Sequence, residues 1–201
     1  LTLALVMALC ASPAAAQAEP EWVEAGMANG GAASVAVDSQ GGVHVVWYVN
    51  VTSSIDYSLY RDGRLVSTST VASGPGLSRP RVALGPGDLP VVVFNKRVAD
   101  TETIMFASLV AGQWTPQVLV TDESCPTPDI KVTTEGTVIV AAAVEVSEAE
   151  DGWIMVLWNE GGRWARESLN VPEPGPVGFY RGLALTSDER PALAVTAGSK
   201  G

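Results

Sequence analysis

The sequence predicts an all-β protein, a β-propeller made of four-stranded blades. Short apolar runs alternate with turns rich in Gly and Pro, of which the chain has 20 and 13, as expected of many short strands. The runs recur with a period of about fifty residues, and a Gly-x-Trp motif recurs at one offset within that period. Four strands per period is typical of a propeller blade, whereas a β-sandwich, the alternative, does not usually repeat one motif at a fixed offset.

The chain opens on an uncharged apolar run, residues 1–10, followed by small residues and Ala16-Gln17-Ala18. An apolar run with an Ala-x-Ala cleavage site predicts a secretory signal peptide over residues 1–18. Its basic start is missing, so we expect the natural chain to begin further upstream. A short buried or membrane helix is the alternative, but the run is too short to span a bilayer. We therefore expect a secreted protein, extracellular or periplasmic, with no membrane span.

Residues 19–32 are predicted to be a linker that contains Trp22. This tryptophan resembles Trp114 and Trp164, which open outer strands of later repeats. We therefore expect residues 22–24 to supply the outer strand of the last blade and so to close the ring. The alternative is an ordinary loop tryptophan.

The first blade, residues 33–71, shows the strand pattern most clearly. Val35 and Val37 alternate as in a strand, and residues 38–42 are dense in turn formers. Residues 43–47 are almost continuously apolar, which indicates a strand covered on both faces. A tight hairpin is expected at Asp62-Gly63 because this pair accepts positive φ angles.

The same figure returns over residues 79–120, 127–170 and, in part, 178–201. Aligned first-strand residues are Val35, Val82, Ile130 and Leu183, at spacings of 47, 48 and 53 residues. Since propellers have about 4–8 blades, three blades and part of a fourth predict a piece of a longer ring, six-bladed or similar. We expect the complete protein to be monomeric.

The repeats resemble the sialidase-like (BNR-repeat) β-propellers. The resemblance rests on the Asp38-x-x-Gly41 turn and on Gly-x-Trp at Trp114 and Trp164. It implies a propeller in a family that includes glycoside hydrolases, lyases and secreted proteins without assigned roles. Only the tail of the family's Asp-box is present, and Leu65 stands where the first tryptophan would be. The early Arg-Ile-Pro of true sialidases is missing, so no arginine trio carries over.

Charge and residue counts exclude several functions. The formal net charge is −10, so an acidic surface would repel nucleic acid. His44 is the one histidine and lies in an apolar run, and Cys125 is the one cysteine after the signal. A histidine triad or a zinc site is therefore poorly supported, and no cofactor is predicted. Gly85 and Thr133 take the position of Asp38 in later repeats, so Asp38 is expected to be a turn residue and not a catalyst.

A ligand site would lie where loops follow second strands and precede first strands, over the channel of the ring. The candidates at these positions are Asn50, Arg97 and Glu145 after second strands, and Arg79, Arg81, Asp129, Tyr180 and Arg181 at first strands. Arginine beside tyrosine suits a carboxylate or sugar ligand. The alternative is that these are ordinary rim residues.

The function predicted first is therefore a secreted or cell-surface binding module for a glycan or a protein. An alternative is a sialidase-like glycoside hydrolase or a polysaccharide lyase whose catalytic residues lie partly outside this chain, because glycosidases generally need two facing carboxylates. A third is a purely structural module of a larger surface protein.

Overall fold

The structure is a computed structural model that describes residues 30–122, 128–144, 153–170 and 177–197. The predicted signal peptide, residues 22–24 and Cys125 lie outside these ranges. The strands are β1 (Gly30–Val37), β2 (Val43–Val49), β3 (Ser54–Arg61), β4 (Arg64–Ser73), β5 (Leu77–Gly85), β6 (Leu89–Val98), β7 (Thr101–Val110), β8 (Gln113–Asp122), β9 (Asp129–Val132), β10 (Val138–Val144), β11 (Trp153–Glu160), β12 (Arg163–Asn170), β13 (Val177–Leu185) and β14 (Pro191–Ala197). One short 3₁₀ turn, Pro86–Asp88, separates β5 from β6. The all-β prediction is confirmed.

The strands form successive antiparallel meanders. β1–β4 make the first sheet, β5–β8 the second and β9–β12 the third, while β13 and β14 pair as a two-stranded fourth sheet. The predicted repetition of four-stranded antiparallel sheets is therefore confirmed for three units. Closure of the sheets into a ring stays a prediction.

Tight hairpins join the third and fourth strands of each complete sheet. The two turn residues both have positive φ, at Asp62 (48°) and Gly63 (70°), Ala111 (49°) and Gly112 (78°), and Gly161 (59°) and Gly162 (83°). Two such residues define the type I′ turn, whose twist matches that of the flanking strands. The predicted hairpin at Asp62-Gly63 is confirmed.

The turn between first and second strands repeats a single hydrogen-bond pattern. Its first residue is Asp38, Thr133 or Thr186, whose side-chain oxygen accepts the backbone N–H four residues later. The bonds are Gly42 N to Asp38 Oδ1 (2.6 Å), Thr137 N to Thr133 Oγ1 (2.9 Å) and Arg190 N to Thr186 Oγ1 (3.0 Å). The Asp38 carboxylate and the two threonine hydroxyls thus accept the same backbone hydrogen bond in their turns, which confirms the turn role predicted for Asp38.

A second set of bonds joins the turns of the first and third sheets to the corresponding turns of the sheets that follow them. Asp88 accepts both the N–H (3.1 Å) and the hydroxyl (2.6 Å) of Ser39, and Glu189 accepts the N–H of Thr134 (2.9 Å). Both acidic residues have positive φ, 60° and 61°, a strained conformation for residues other than glycine.

The turn of the second sheet breaks this pattern in a consistent way. Pro86 stands where Ser39 and Thr134 stand in their turns, and proline has no N–H to donate. The residue facing it in the third sheet is Gly136, whose φ is 92° and where an added Cβ would lie 3.3 Å from Pro86 Cγ. An acidic residue thus stands where the neighbouring turn offers a backbone N–H donor, and glycine stands at that position where proline removes the donor.

Neighbouring sheets pack face to face through their central strands. On β6, Val92 and Phe94 pack with the first sheet, whereas Val91 and Val93 pack with the third. β10 alternates in the same way, with Val140 towards the second sheet. These second strands are covered on both faces, as their continuous apolar runs predict.

The tryptophans of the Gly-x-Trp motifs contact the sheet before their own. Trp114 lies edge-on to Tyr57, with ring centroids 5.3 Å apart, and Trp164 meets Phe106 in the same way at 5.2 Å. Such pairs add about 0.5–1.5 kcal/mol beyond area burial. Leu65 holds the equivalent position in the first sheet and is 56% exposed, consistent with the described part of the chain placing no sheet against that face.

Candidate functional site

Three of the four first strands carry a β-bulge at aligned positions. The pairing register shifts between Gly31 and Ala33 in β1 and between Ser78 and Arg81 in β5, and again on either side of Tyr180 in β13. A bulge re-aims the side chain that it carries and is common beside functional sites. The bulges therefore mark one end of the repeated sheets.

Arg79 occupies the bulge of β5. Its φ is 52°, an uncommon value for a residue with a long side chain. The next residue, Pro80, is fully buried and suits the bulge because proline needs no ladder partner. The side chain is 44% exposed, and its Nη1 lies 3.9 Å from Glu102 Oε2. Packing thus holds Arg79 in a strained conformation with its charge at the surface.

Arg97 reaches the same end of the second sheet from β6. Its Cα pairs with that of Glu102, and its Nε donates to the carbonyl of Ala99 (3.3 Å). Its backbone N–H donates to Gly76 O (2.9 Å). Gly76 has a φ of 78°, and a Cβ there would lie 2.0 Å from Arg97 O, so only glycine allows this contact. The loop before β5 is thereby fixed to the end of β6.

Arg81 and Asn95 complete this end of the sheet. Arg81 is partly buried and pairs with Val93, whose side chain packs towards the third sheet. Asn95 is fully buried, and its Nδ2 lies 3.4 Å from Glu102 Oε2. The same carboxylate oxygen of Glu102 thus lies near both Arg79 and Asn95.

We name Arg79, Arg81 and Arg97 the basic rim. The whole chain has 12 Lys and Arg against 22 Asp and Glu, and these three arginines lie on the first two strands of one sheet. Guanidinium groups bind carboxylates in a planar, two-point geometry. The rim can therefore bind an anion, and nothing in it supplies a nucleophile.

Among the other predicted residues, Asp129 has structural partners of its own. Asp129 instead links sheets, because its Oδ2 accepts the N–H of Leu183 (2.9 Å) and its Oδ1 accepts its own neighbour's, Ile130 (2.9 Å). Ser34, the aligned residue of β1, accepts the N–H of Val82 in the same way (3.2 Å). The remaining candidates are Asn50, exposed in the β2–β3 turn, Tyr180 and Arg181, which lie on β13, and Glu145, which lies outside the described residues.

A polar chain formed by Arg61, Asp38, His44 and Tyr57 lies at the opposite end of the first sheet, buried except at the partly exposed Arg61. Arg61 Nη2 donates to Asp38 Oδ2 (3.0 Å), which lies 3.4 Å from His44 Nε2. His44 Nδ1 lies 2.8 Å from the hydroxyl of Tyr57. The tautomer with a proton on Nε2 satisfies both contacts, since Nδ1 then accepts the tyrosine proton.

Electrostatics keep the histidine of this chain neutral. Burial lowers the pKa of His44, and the hydrogen bond and charge of Asp38 only partly offset that effect. Burial raises the pKa of Asp38, but N–H donors from Gly42 and Gln40, with His44 and Arg61, outweigh it and bring that pKa below its ordinary value. Burial and the charge of Asp38 raise the pKa of Tyr57 to about 12.

Asp38, His44 and Tyr57 are only 6%, 4% and 4% exposed. No substrate reaches groups so deeply buried, so the polar chain joins β1–β3 and has no catalytic geometry. Sequence reasoning identified His44 as a packed strand residue, which the structure confirms, but missed its partners. The partnership depends on the β2–β3 register, which pairs His44 with Leu59 and Val46 with Tyr57.

Other features limit what this part of the chain can bind. In the described ranges, no three His, Cys, Asp or Glu side chains are grouped so that they could hold a metal ion. No helix there is long and apolar enough to cross a membrane. A scan against protein-family models and a search of curated proteins both found no match to this chain.

Proposed function

We propose that the protein is a secreted, sialidase-like β-propeller that binds a carboxylate-bearing glycan at the basic rim. The fold part of the proposal is supported by the meandering four-stranded sheets and by their stacking order. First strands neighbour one another, β1 beside β5, β5 beside β9 and β9 beside β13. This is how the innermost strands of blades are arranged around a propeller channel.

The observation that carries the binding part is the charged residue at the bulge of β5, Arg79, whose side chain is 44% exposed. A left-handed arginine at a bulge costs conformational free energy, of the order of 1–3 kcal/mol. Such strain persists where the surroundings over-determine it, and here it accompanies an exposed guanidinium on a sheet that also carries Arg81 and Arg97. The aligned bulge residue of β1, Ala32, also has a positive φ (41°), so the bulge recurs and the charge at this position is what distinguishes Arg79.

A carboxylate-bearing sugar is the ligand class that fits best. Arginine forks recognise carboxylates by two parallel hydrogen bonds, and the partly buried Arg81 adds charge behind the exposed Arg79. Glu102 beside Arg79 accepts hydrogen bonds and suits the hydroxyl groups of a sugar. An acidic surface elsewhere on the protein would repel polyanions that lack a matched geometry.

The test is binding of the purified protein to an array of acidic and neutral glycans. Acidic glycans should be retained and neutral ones not. Arg79→Gln should weaken binding about tenfold or more, because a hydrogen bond to a charged group is worth about 1.5–3 kcal/mol. Arg64→Gln is the matched control, since it removes the same charge from the hairpin at the other end of the first sheet.

Equal binding by Arg79→Gln and the parent protein would contradict the proposal. Release of sugar products from the arrayed glycans would show that the protein is a glycan-cleaving enzyme and not a binding module. Arg79→Gly separates the contributions of charge and backbone, since glycine accepts a φ of 52° without strain. It should fold at least as well as the parent protein and still bind weakly.

A further inference from the structure

A groove runs between the first and second sheets, beside the end of β4. Its volume is about 390 Å³, within the range of about 300–1,000 Å³ that small-molecule sites occupy. The groove is lined by the end of β4, the start of β5 and side chains from β6, β7 and β8. None of the residues named above as the basic rim lines it.

Lys96 is the one charged side chain among the groove's lining residues. It pairs across the sheet with Leu77 and Thr103 and is half-buried. None of the ion pairs within the described residues includes it. In a chain with a formal charge of −10, a groove with an ammonium and no carboxylate in its lining is electrostatically complementary to an anion.

The rest of the lining is mostly apolar with a polar edge. Phe94 is buried, Met105 and Trp114 are partly buried, and Ser73 places an exposed hydroxyl at one edge. Apolar walls with a few polar groups are the usual composition of small-ligand sites. The C–H face of a sugar ring packs well against aromatic and thioether surfaces, while its hydroxyls need donors and acceptors at the edge.

We propose that this groove binds a uronic-acid unit, with the carboxylate on Lys96 and the ring against Met105 and Trp114. The inference rests on the proposed function in naming the same ligand class, and it adds a second place where that ligand is held. Lys96 and Arg97 are consecutive on β6, so their side chains leave opposite faces of one strand. An acidic oligosaccharide crossing the end of β6 would meet both.

The test uses the full chain labelled with [methyl-¹³C]methionine, titrated with glucuronate. Met105 is one of four methionines, and its signal is assigned with Met105→Leu. Binding in the groove should shift this signal in a saturable way. Lys96→Met should weaken the binding about tenfold or more, because it removes a charge-assisted hydrogen bond. Lys131→Met is the matched control, since it removes the same group from the third sheet.

Ser73→Glu provides a second test in case Lys96→Met does not fold, because residue 73 is exposed and its replacement should not disturb folding. The added carboxylate should repel glucuronate and also weaken binding. A Met105 signal that does not respond, or equal affinity for Lys96→Met and the parent protein, would overturn the inference. If Arg79→Gln loses acidic glycans while Lys96→Met keeps them unchanged, the groove is excluded and the basic rim stands. If Lys96→Met alone loses them, the rim proposal fails instead.

Discussion

Replacing Tyr57 with phenylalanine tests the buried polar chain of the first sheet most directly. The substitution keeps the ring and its edge contact with Trp114 but removes the hydroxyl that lies 2.8 Å from His44 Nδ1. His44 is 4% exposed, so water cannot replace the lost donor without a rearrangement. One buried acceptor is then left without its partner.

The expected loss follows from the asymmetry of buried hydrogen bonds. Leaving a buried polar group unsatisfied costs about 1–3 kcal/mol, whereas removing both partners together is close to neutral for that bond. Tyr57→Phe should therefore lower the free energy of unfolding by about 1–3 kcal/mol. Combining it with His44→Leu should cost less than the sum of the two single changes, with a coupling of about 0.5–3 kcal/mol.

The assay is urea unfolding followed by tryptophan fluorescence at pH 7.5, where His44 is neutral. Tyr60→Phe is the control, because it removes a hydroxyl from the same strand at a partly exposed position, where changes stay within about 0.5 kcal/mol. The reasoning is refuted if Tyr57→Phe costs no more than Tyr60→Phe. It is refuted equally if the effects of Tyr57→Phe and His44→Leu simply add.

Two further predictions concern the pH dependence of stability and the hydrogen bonds between turns of neighbouring sheets. The pKa of His44 is lower in the folded protein than its ordinary 6.5, so the unfolded chain takes up the proton first. Stability should then fall as pH drops below about 6.5; since His44 is the one histidine, a pH 5–7 titration of unfolding should show no such fall in His44→Leu. Asp88→Ala removes both bonds to Ser39 and should cost about 1–2 kcal/mol by thermal unfolding. Asp88→Gly should recover about 1 kcal/mol of that, because glycine accepts a φ of 60°; equal stabilities of the two variants would mean that the left-handed backbone stores no strain.

The features that could be predicted from the sequence are those that depend on residues close together in the chain. Periodic apolar runs and the Asp62-Gly63 turn are local, so the four-stranded sheets and their hairpins could be anticipated. The bulge at Arg79 could not, because no glycine marks its φ of 52°. Its conformation is imposed by the buried Pro80 and by the pairing of β5 with β6.

Contacts between residues that are distant in sequence could not be predicted either. Asp129 seemed suited to a ligand from its place before a first strand, but its oxygen is taken by Leu183, 54 residues on. His44 and Tyr57 meet only because the β2–β3 register places both on the face that packs on the second sheet. A shift of one residue would place the two side chains on opposite faces of the sheet, and the sequence alone does not fix that choice.

The hydrogen bonds between turns of neighbouring sheets have a consequence for the order in which the sheets stack. Asp88 suits a neighbour whose turn offers a donor, as Ser39 does, whereas Gly136 suits the donorless Pro86. If the second and third sheets exchanged places, a carboxylate would face proline and a free N–H would face glycine. Repeats that look interchangeable in their apolar cores are therefore made unequal at their turns. During folding, each sheet would dock most stably on its own predecessor, so the polar turns guard against misordered stacking that the cores alone would tolerate.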